Sequence, residues 1–321
     1  MGKINFENKF GGGSKLLINS FRFIVKKPIF LLPIFLVWII STVGTLYFRY
    51  WWQPPEEISL LFLTIFLFIL VLCYFINLAG ILMLEFIRQI ESVEKISLKE
   101  ATKETLKNSG KVLFLSFIWA SVWFIFLLIE AIIEILDSKR RKSEKSKPSL
   151  KDAAQTLAGI NSPFSWIGLG LSLLRKLIRM ILFLSLPAIV WEKKGAISSL
   201  KKSFQIIKTH SFDFFSTYSL TLTVVIMIIL PLSFIFVLDE RGVLIPNLLW
   251  TIIIIYIGII WSLQIYLEQM VTGMLYLWHL KWEKSGRKDS LLSVPKPNLL
   301  DNFQEFKEIE KMPQKPQKSS R

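Results

Sequence analysis

Two pairs of charged residues stand at the margins of apolar runs, where a chain that crosses a bilayer should carry few. Glu130 and Glu134 close one apolar run, and Arg175 and Arg179 precede another. Residues four apart share one face of a helix, so each pair offers two like charges to a single neighbour. A charge at mid-bilayer costs at least about 2.5–3.5 kcal/mol, which is why such residues pair with one another or mark a binding or transport path. Counted at about 1.5 Å per residue from Lys111 and Glu192, Glu130 lies about 28 Å along its helix, Arg175 about 26 Å and Arg179 about 20 Å. The matching heights predict that Glu130 pairs with Arg175 or Arg179, as a structural bridge or as the lining of a polar cavity. The competing reading is that the arginines snorkel to the headgroups.

The remaining polar residues point less sharply. Asn77 is deep in the second apolar run and is expected to bridge two helices. Glu85, Gln264 and Glu268 fall near the cytoplasmic ends of their runs and carry less weight. Pro187 and Pro231 interrupt two runs and free backbone carbonyls there. His210 and His279 each sit at a boundary, and neither has a second ligand at metal spacing. No nucleotide-binding glycine loop, GxSxG or HExxH motif occurs. The expectation is a protein with no catalytic, cofactor-binding or metal-binding residues, and not an enzyme.

The elements that must position these charges follow from composition. Of 321 residues 52% are hydrophobic and 14% aromatic, and the apolar residues come in blocks rather than stripes. Pro28–Phe48, Ile58–Leu84, Val112–Ile129, Ile181–Trp191, Phe214–Leu238 and Val243–Tyr266 are almost free of charge. A bilayer core about 30 Å thick needs about 20 apolar residues as helix, because a bare backbone amide in hydrocarbon costs several kcal/mol and a helix satisfies its own. The fold expected is all-α, a polytopic transmembrane bundle of about six spans, near 28–48, 58–85, 112–136, 165–191, 212–238 and 244–267. The first run is read as a retained anchor, since it is longer than a signal h-region and no small-residue cleavage site follows it. The single Cys73 excludes an intrachain disulfide and a cysteine metal cluster.

The net charge of +15 lies in loops and tails, where it argues for topology and anionic headgroups rather than nucleic acid. Basic residues crowd before the first run, from Arg88 to Lys111, from Lys193 to Lys208 and after Lys281. The positive-inside rule then puts both termini in the cytoplasm of a cell (inner) membrane protein. One connection disagrees: the segment from Asp137 to Pro163 should lie outside, yet carries Lys139, Arg140, Arg141, Lys142, Lys145, Lys147 and Lys151. Tryptophans support the run ends, with Trp51, Trp52, Trp166, Trp191 and Trp250 at headgroup level and Trp278 and Trp282 past the sixth span.

A faint repeat precedes three of the runs: Leu16 to Lys27, Ile96 to Asn108, and Leu200 to Lys208. Each copy reads as a basic amphipathic elbow leading into a two-span hairpin, lying on the cytoplasmic surface. In the third, Ile197, Leu200, Phe204 and Ile207 form the apolar stripe, and Lys201, Lys202 and Lys208 are the expected contacts to lipid headgroups or a partner protein. Residues 1–27 thus form a cytoplasmic segment with an amphipathic helix, 28–282 the membrane domain, and 283–321 a mostly disordered cytoplasmic tail, rich in proline and lysine.

The stretch from Leu184 through Pro187, Trp191-Glu192-Lys193-Lys194-Gly195 and Leu200-Lys201-Lys202-Ser203-Phe204, with Met274-Leu275-Tyr276 and Asp301 to Lys307 further on, resembles a family of prokaryotic six-span membrane proteins known only as a domain of unknown function. The resemblance implies topology and no substrate. Two functional readings stand beside it. One is a non-catalytic membrane scaffold or interaction protein. The other is a permease or lipid-handling component with a polar cavity between the third and fourth spans.

Overall fold

In the computed structural model the described backbone covers residues 17–18, 20–91, 96–140, 166–241, 245–284 and 286. The basic connection expected outside lies beyond the described residues from 141 to 165, as does the tail from 287. Every described element is helical: α1 Leu31–Tyr50, entered through a 3-10 turn at Pro28–Phe30, α2 Ile58–Glu91, α3 Leu98–Lys107, α4 Ser109–Arg140, α5 Trp166–Val190, α6 Ala196–Glu240 and α7 Asn247–Lys284. Residues 17, 18 and 20–26 add the helical elbow before α1.

Five helices are long and apolar enough to cross a bilayer: Pro28–Tyr50, Ile58–Ile90, Ser109–Ile133, Phe214–Leu232 and Asn247–Lys284. The chain is a multi-pass membrane protein by that measure. The sixth long helix, α5, differs because Arg175, Lys176 and Arg179 occupy its middle, yet it packs against α2, α4, α6 and α7. Packing closes a ring in the order α1, α2, α4, α5, α6, α7 and back to α1. The hairpins α1–α2, α4–α5 and α6–α7 each follow an elbow, as the repeat predicts: residues 17–26, α3, and the start of α6 before its backbone breaks at His210 (φ −127°, ψ 35°). Each elbow buries a small residue completely, Ser20, Ala101 and Ser203, which lets its backbone approach the bundle closely.

The outer and inner halves of the ring differ. Large apolar side chains of α1, the first half of α2, α4, α6 and the first half of α7 are exposed, as a lipid-facing surface requires. On α7 every residue from Gln264 to Leu280 is buried, so its second half is a pillar enclosed on all sides. Glycines and polar side chains join it to its neighbours. Gly80 of α2 leaves the space that the Gln269 amide fills, and Gln269 Nε2 donates to the Ile76 carbonyl 3.2 Å away. Gly258 accommodates Thr42 of α1 in the same way. Asn77 bridges α2 to α4 through Ser116 at 2.9 Å, as expected of a lone intramembrane amide. Gln89 grips both backbone groups of Ser97, accepting from its N–H at 2.9 Å and donating to its C=O at 3.2 Å, which fixes the turn into α3.

Candidate functional site

The basic side chains of α5 meet acids from two other helices. Arg175 pairs with Glu130 of α4, with its guanidinium 5.9 Å from the centre of the Phe126 ring. Both partners remain partly exposed, at 28% and 18% of the side chain. One turn further along α5, Arg179 pairs with Glu268 of α7 at 2.6 Å, and the Glu268 side chain is 0% exposed. Tyr218 of α6 donates to the second Glu268 oxygen at 2.8 Å, and Gln264 donates to the first at 2.8 Å. Thr272 ties down the Glu268 carbonyl at 2.6 Å. Charges from α4, α5 and α7 thus converge with a hydroxyl from α6, and the inner carboxylate has its donors supplied by α5, α6 and α7.

Of the four residues singled out from sequence, Glu130, Arg175 and Arg179 come together. The side chain of Glu134 lies outside the described residues. Arg179 turns to Glu268 rather than Glu130; sequence reasoning gave Glu268 and Gln264 little weight and missed Tyr218. The reason is geometric. Glu268 looks like the last residue of a span that ends at 267, but the helix runs on to Lys284, so Glu268 lies about 24 Å from that end, close to the height of Arg179. The same extension corrects the placement of Trp278, which is buried inside the bundle and not past it.

Not every polar atom here is satisfied. Lys176 Nζ, Arg179 Nε and Glu130 Oε2 are buried without a hydrogen-bond partner. An unpaired polar atom in a low-dielectric interior costs about 1–3 kcal/mol, more if it is charged.

A second cluster sits where α5 ends and α6 begins. Glu192 accepts from Lys194 at 2.7 Å, from Lys202 at 2.6 Å, and from the Tyr276 hydroxyl of α7. Burial pushes its carboxyl up, but Lys202 and the other donors outweigh that and hold it below the ordinary carboxylate range. Lys202 also approaches Glu283 at 3.5 Å. Beyond it, the His210 ring lies 5.3 Å from His279 and 4.7 Å from Trp282. Burial, then the neighbouring His279, pulls His210 down to about 4. A cavity of about 310 Å³ opens beside these groups, lined by Lys202, Gln205, Ile206, Thr209, His279, Trp282 and Glu283. Among the described residues no group of three or more His, Cys, Asp or Glu could hold a metal ion.

Lys202 was expected to reach headgroups; instead it is engaged with Glu192 and Glu283 and only 13% exposed. Lys201 and Lys208 are exposed. The apolar stripe divides as well: Ile197 and Phe204 are each 60% exposed, while the face toward the bundle is Ser199, Ser203, Ile206 and His210. Ser203 meets Ser185 of α5 at 3.0 Å.

No protein-family model matches the chain, and no curated protein or solved structure matches it. The ring of six long helices with two internal charge clusters therefore stands on its own geometry.

Proposed function

We propose that this chain is a non-catalytic scaffold of the cell membrane that presents basic elbow helices at its cytoplasmic face to anionic headgroups and to a protein partner. The observation that carries the reading is the free edge of the third elbow, where Ile197, Lys201, Phe204 and Lys208 follow one another at helical spacing and all four are exposed. An apolar and basic stripe of this kind suits the boundary between acyl chains and anionic headgroups. The internal acids and bases fit a structural role, since Glu268 and Glu192 each hold cations that belong to other parts of the bundle. Six spans, with α5 as the fourth and both termini inside, suit the charge distribution of the loops. The likeness to the six-span family of unknown function is part of the same proposal.

A photo-crosslinking amino acid at Phe204 tests the scaffold in cells. Crosslinks to a discrete protein that vanish in Lys201→Gln/Lys208→Gln, with accumulation unchanged, support it. Crosslinks to lipid alone count against a protein partner. For topology, Cys73→Ser with a single cysteine at Ser143 is labelled with an impermeant maleimide: labelling of intact cells supports six spans, and labelling only after lysis rules them out. A second reading, a lipid-handling component, is favoured by the unpartnered Lys176 amine. It requires lipid movement in reconstituted vesicles that is lost in Arg175→Ala without loss of folding.

A further inference from the structure

The geometry points to a binding site for a phosphate group on the inward side of α5, built by Lys176 and Arg179. Unlike the surface stripe, this site lies inside the ring. Three described cations, Arg175, Lys176 and Arg179, face two described carboxylates, Glu130 and Glu268, and each carboxylate already holds one arginine. One positive charge is left over, and it belongs to the residue with no acceptor. Lys176 Nζ is buried and unbonded, and so is Arg179 Nε one turn away. A buried charge with no hydrogen-bonded partner is unfavourable, and the one described acid near Lys176, Glu268, already holds Arg179.

A ligand for these donors has a definite chemistry. It must carry negative charge and more than one acceptor oxygen, to serve two cationic donors on successive turns of one helix. A donor of its own would also serve Glu130 Oε2, which is buried without a partner on the carboxylate that holds the adjacent Arg175. A phosphate ester with an ammonium or hydroxyl group meets all three needs, and so does free hydrogen phosphate. The partial exposure of Arg175 and Glu130 leaves an approach past the outer pair. Arginine and lysine side by side suit this ligand, since a guanidinium and an ammonium supply fixed and adaptable donors respectively. The phosphate is held, and no bond in it is broken.

The test uses the full-length protein, delipidated in neutral detergent, with its unfolding midpoint read during titration. Three probes are added separately: phosphatidylglycerol in mixed micelles, inorganic phosphate, and diacylglycerol as the phosphate-free control. The wild type is expected to rise by about 5 °C at a hundredfold excess over the dissociation constant, with a phosphate-bearing probe only. A rise with phosphatidylglycerol alone identifies a headgroup, and a rise with inorganic phosphate as well identifies a free-anion site. Lys176→Gln should abolish the rise, yet be at least as stable as the wild type when no lipid is present, because it removes the leftover charge. Lys176→Arg should keep the rise. Delipidated Lys176→Gln that is less stable than the wild type would show that the chain itself, through Glu134 for example, supplies the counter-charge, and would overturn the site. An equal rise with diacylglycerol overturns it too, and that arm needs no variant to fold.

Discussion

The two charge clusters use the same chemistry in different surroundings. In the bundle, Glu268 is 0% exposed and is held by Arg179, Tyr218 and Gln264 from α5, α6 and α7. At the elbow, Glu192 gathers Lys194, Lys202 and Tyr276 where α5 turns into α6, and its cations remain 34% and 13% exposed. Removing a partner at the elbow leaves a charge that water can still reach. Removing one in the bundle leaves a charge with nowhere to go. Burial of the carboxylate, 0% exposed for Glu268 against 18% for Glu192, separates the two more than distance does, since both have a cation at 2.6 Å.

The contrast is broken most severely by Glu268→Gln. It leaves Arg179 without its carboxylate, beside the like charges of Arg175 and Lys176, and should destabilise the protein by about 3–5 kcal/mol, seen as a large drop in unfolding midpoint. Glu268→Gln combined with Arg179→Met should recover much of that loss, because no charge is left uncompensated. If the double variant is no better than Glu268→Gln alone, the pair is not the reason.

Gly80→Val ranks next. Its branched side chain would occupy the space that the Gln269 amide fills, and forcing atoms into a packed contact costs about 1–3 kcal/mol. Gly110→Ala, where nothing lies within 4 Å of the added carbon, is the control and should leave the midpoint within about 0.5 kcal/mol of the wild type.

Acidification sharpens the comparison from the elbow side. His210 falls from an ordinary 6.5 to about 4 in the folded protein, through burial first and His279 second. Between those values the unfolded chain binds a proton that the folded chain refuses, so stability is fullest above pH 6.5 and declines as the pH falls toward 4. Glu192 adds to the loss only at lower pH, as its carboxylate begins to protonate. Glu283 opposes the shift of His210, so Glu283→Gln should steepen the decline. His210→Phe should flatten the midpoint between pH 6.5 and 4, and an unchanged slope would assign the effect to other groups.

The smallest effect is expected from Arg175→Gln. Its pair with Glu130 is partly exposed, and a pair of that kind contributes about 0.2–1 kcal/mol. A loss as large as that of Glu268→Gln would mean that the outer pair is as enclosed as the inner one.

Much of the fold was legible as sequence. Apolar runs with few charges mark Pro28–Tyr50, Ile58–Ile90 and Ser109–Ile133, and the elbow repeat marks the three hairpins. The site was legible in part. Equal heights brought Arg175 to Glu130, but height was counted from assumed membrane edges, and the true end of α7 at Lys284 moved Glu268 from a boundary into the core. The elbow shows a second kind of miss. Periodicity located a stripe of Ile197, Leu200, Phe204 and Ile207, yet the fully buried side chains are Ser199 and Ser203. Beside a membrane an apolar stripe may face lipid as readily as protein, and small residues are what draw helices together.

The sequence by itself determined that this chain is helical, membrane-spanning and arranged as elbows and hairpins, because an uncharged run of sufficient length has only the helix as a way to satisfy its backbone in lipid. Only the tertiary structure decided that Arg179 belongs to Glu268 and Lys202 to Glu192. Those partners are 89 and 10 residues apart, and which charges meet depends on how far each helix continues and which face the ring turns inward.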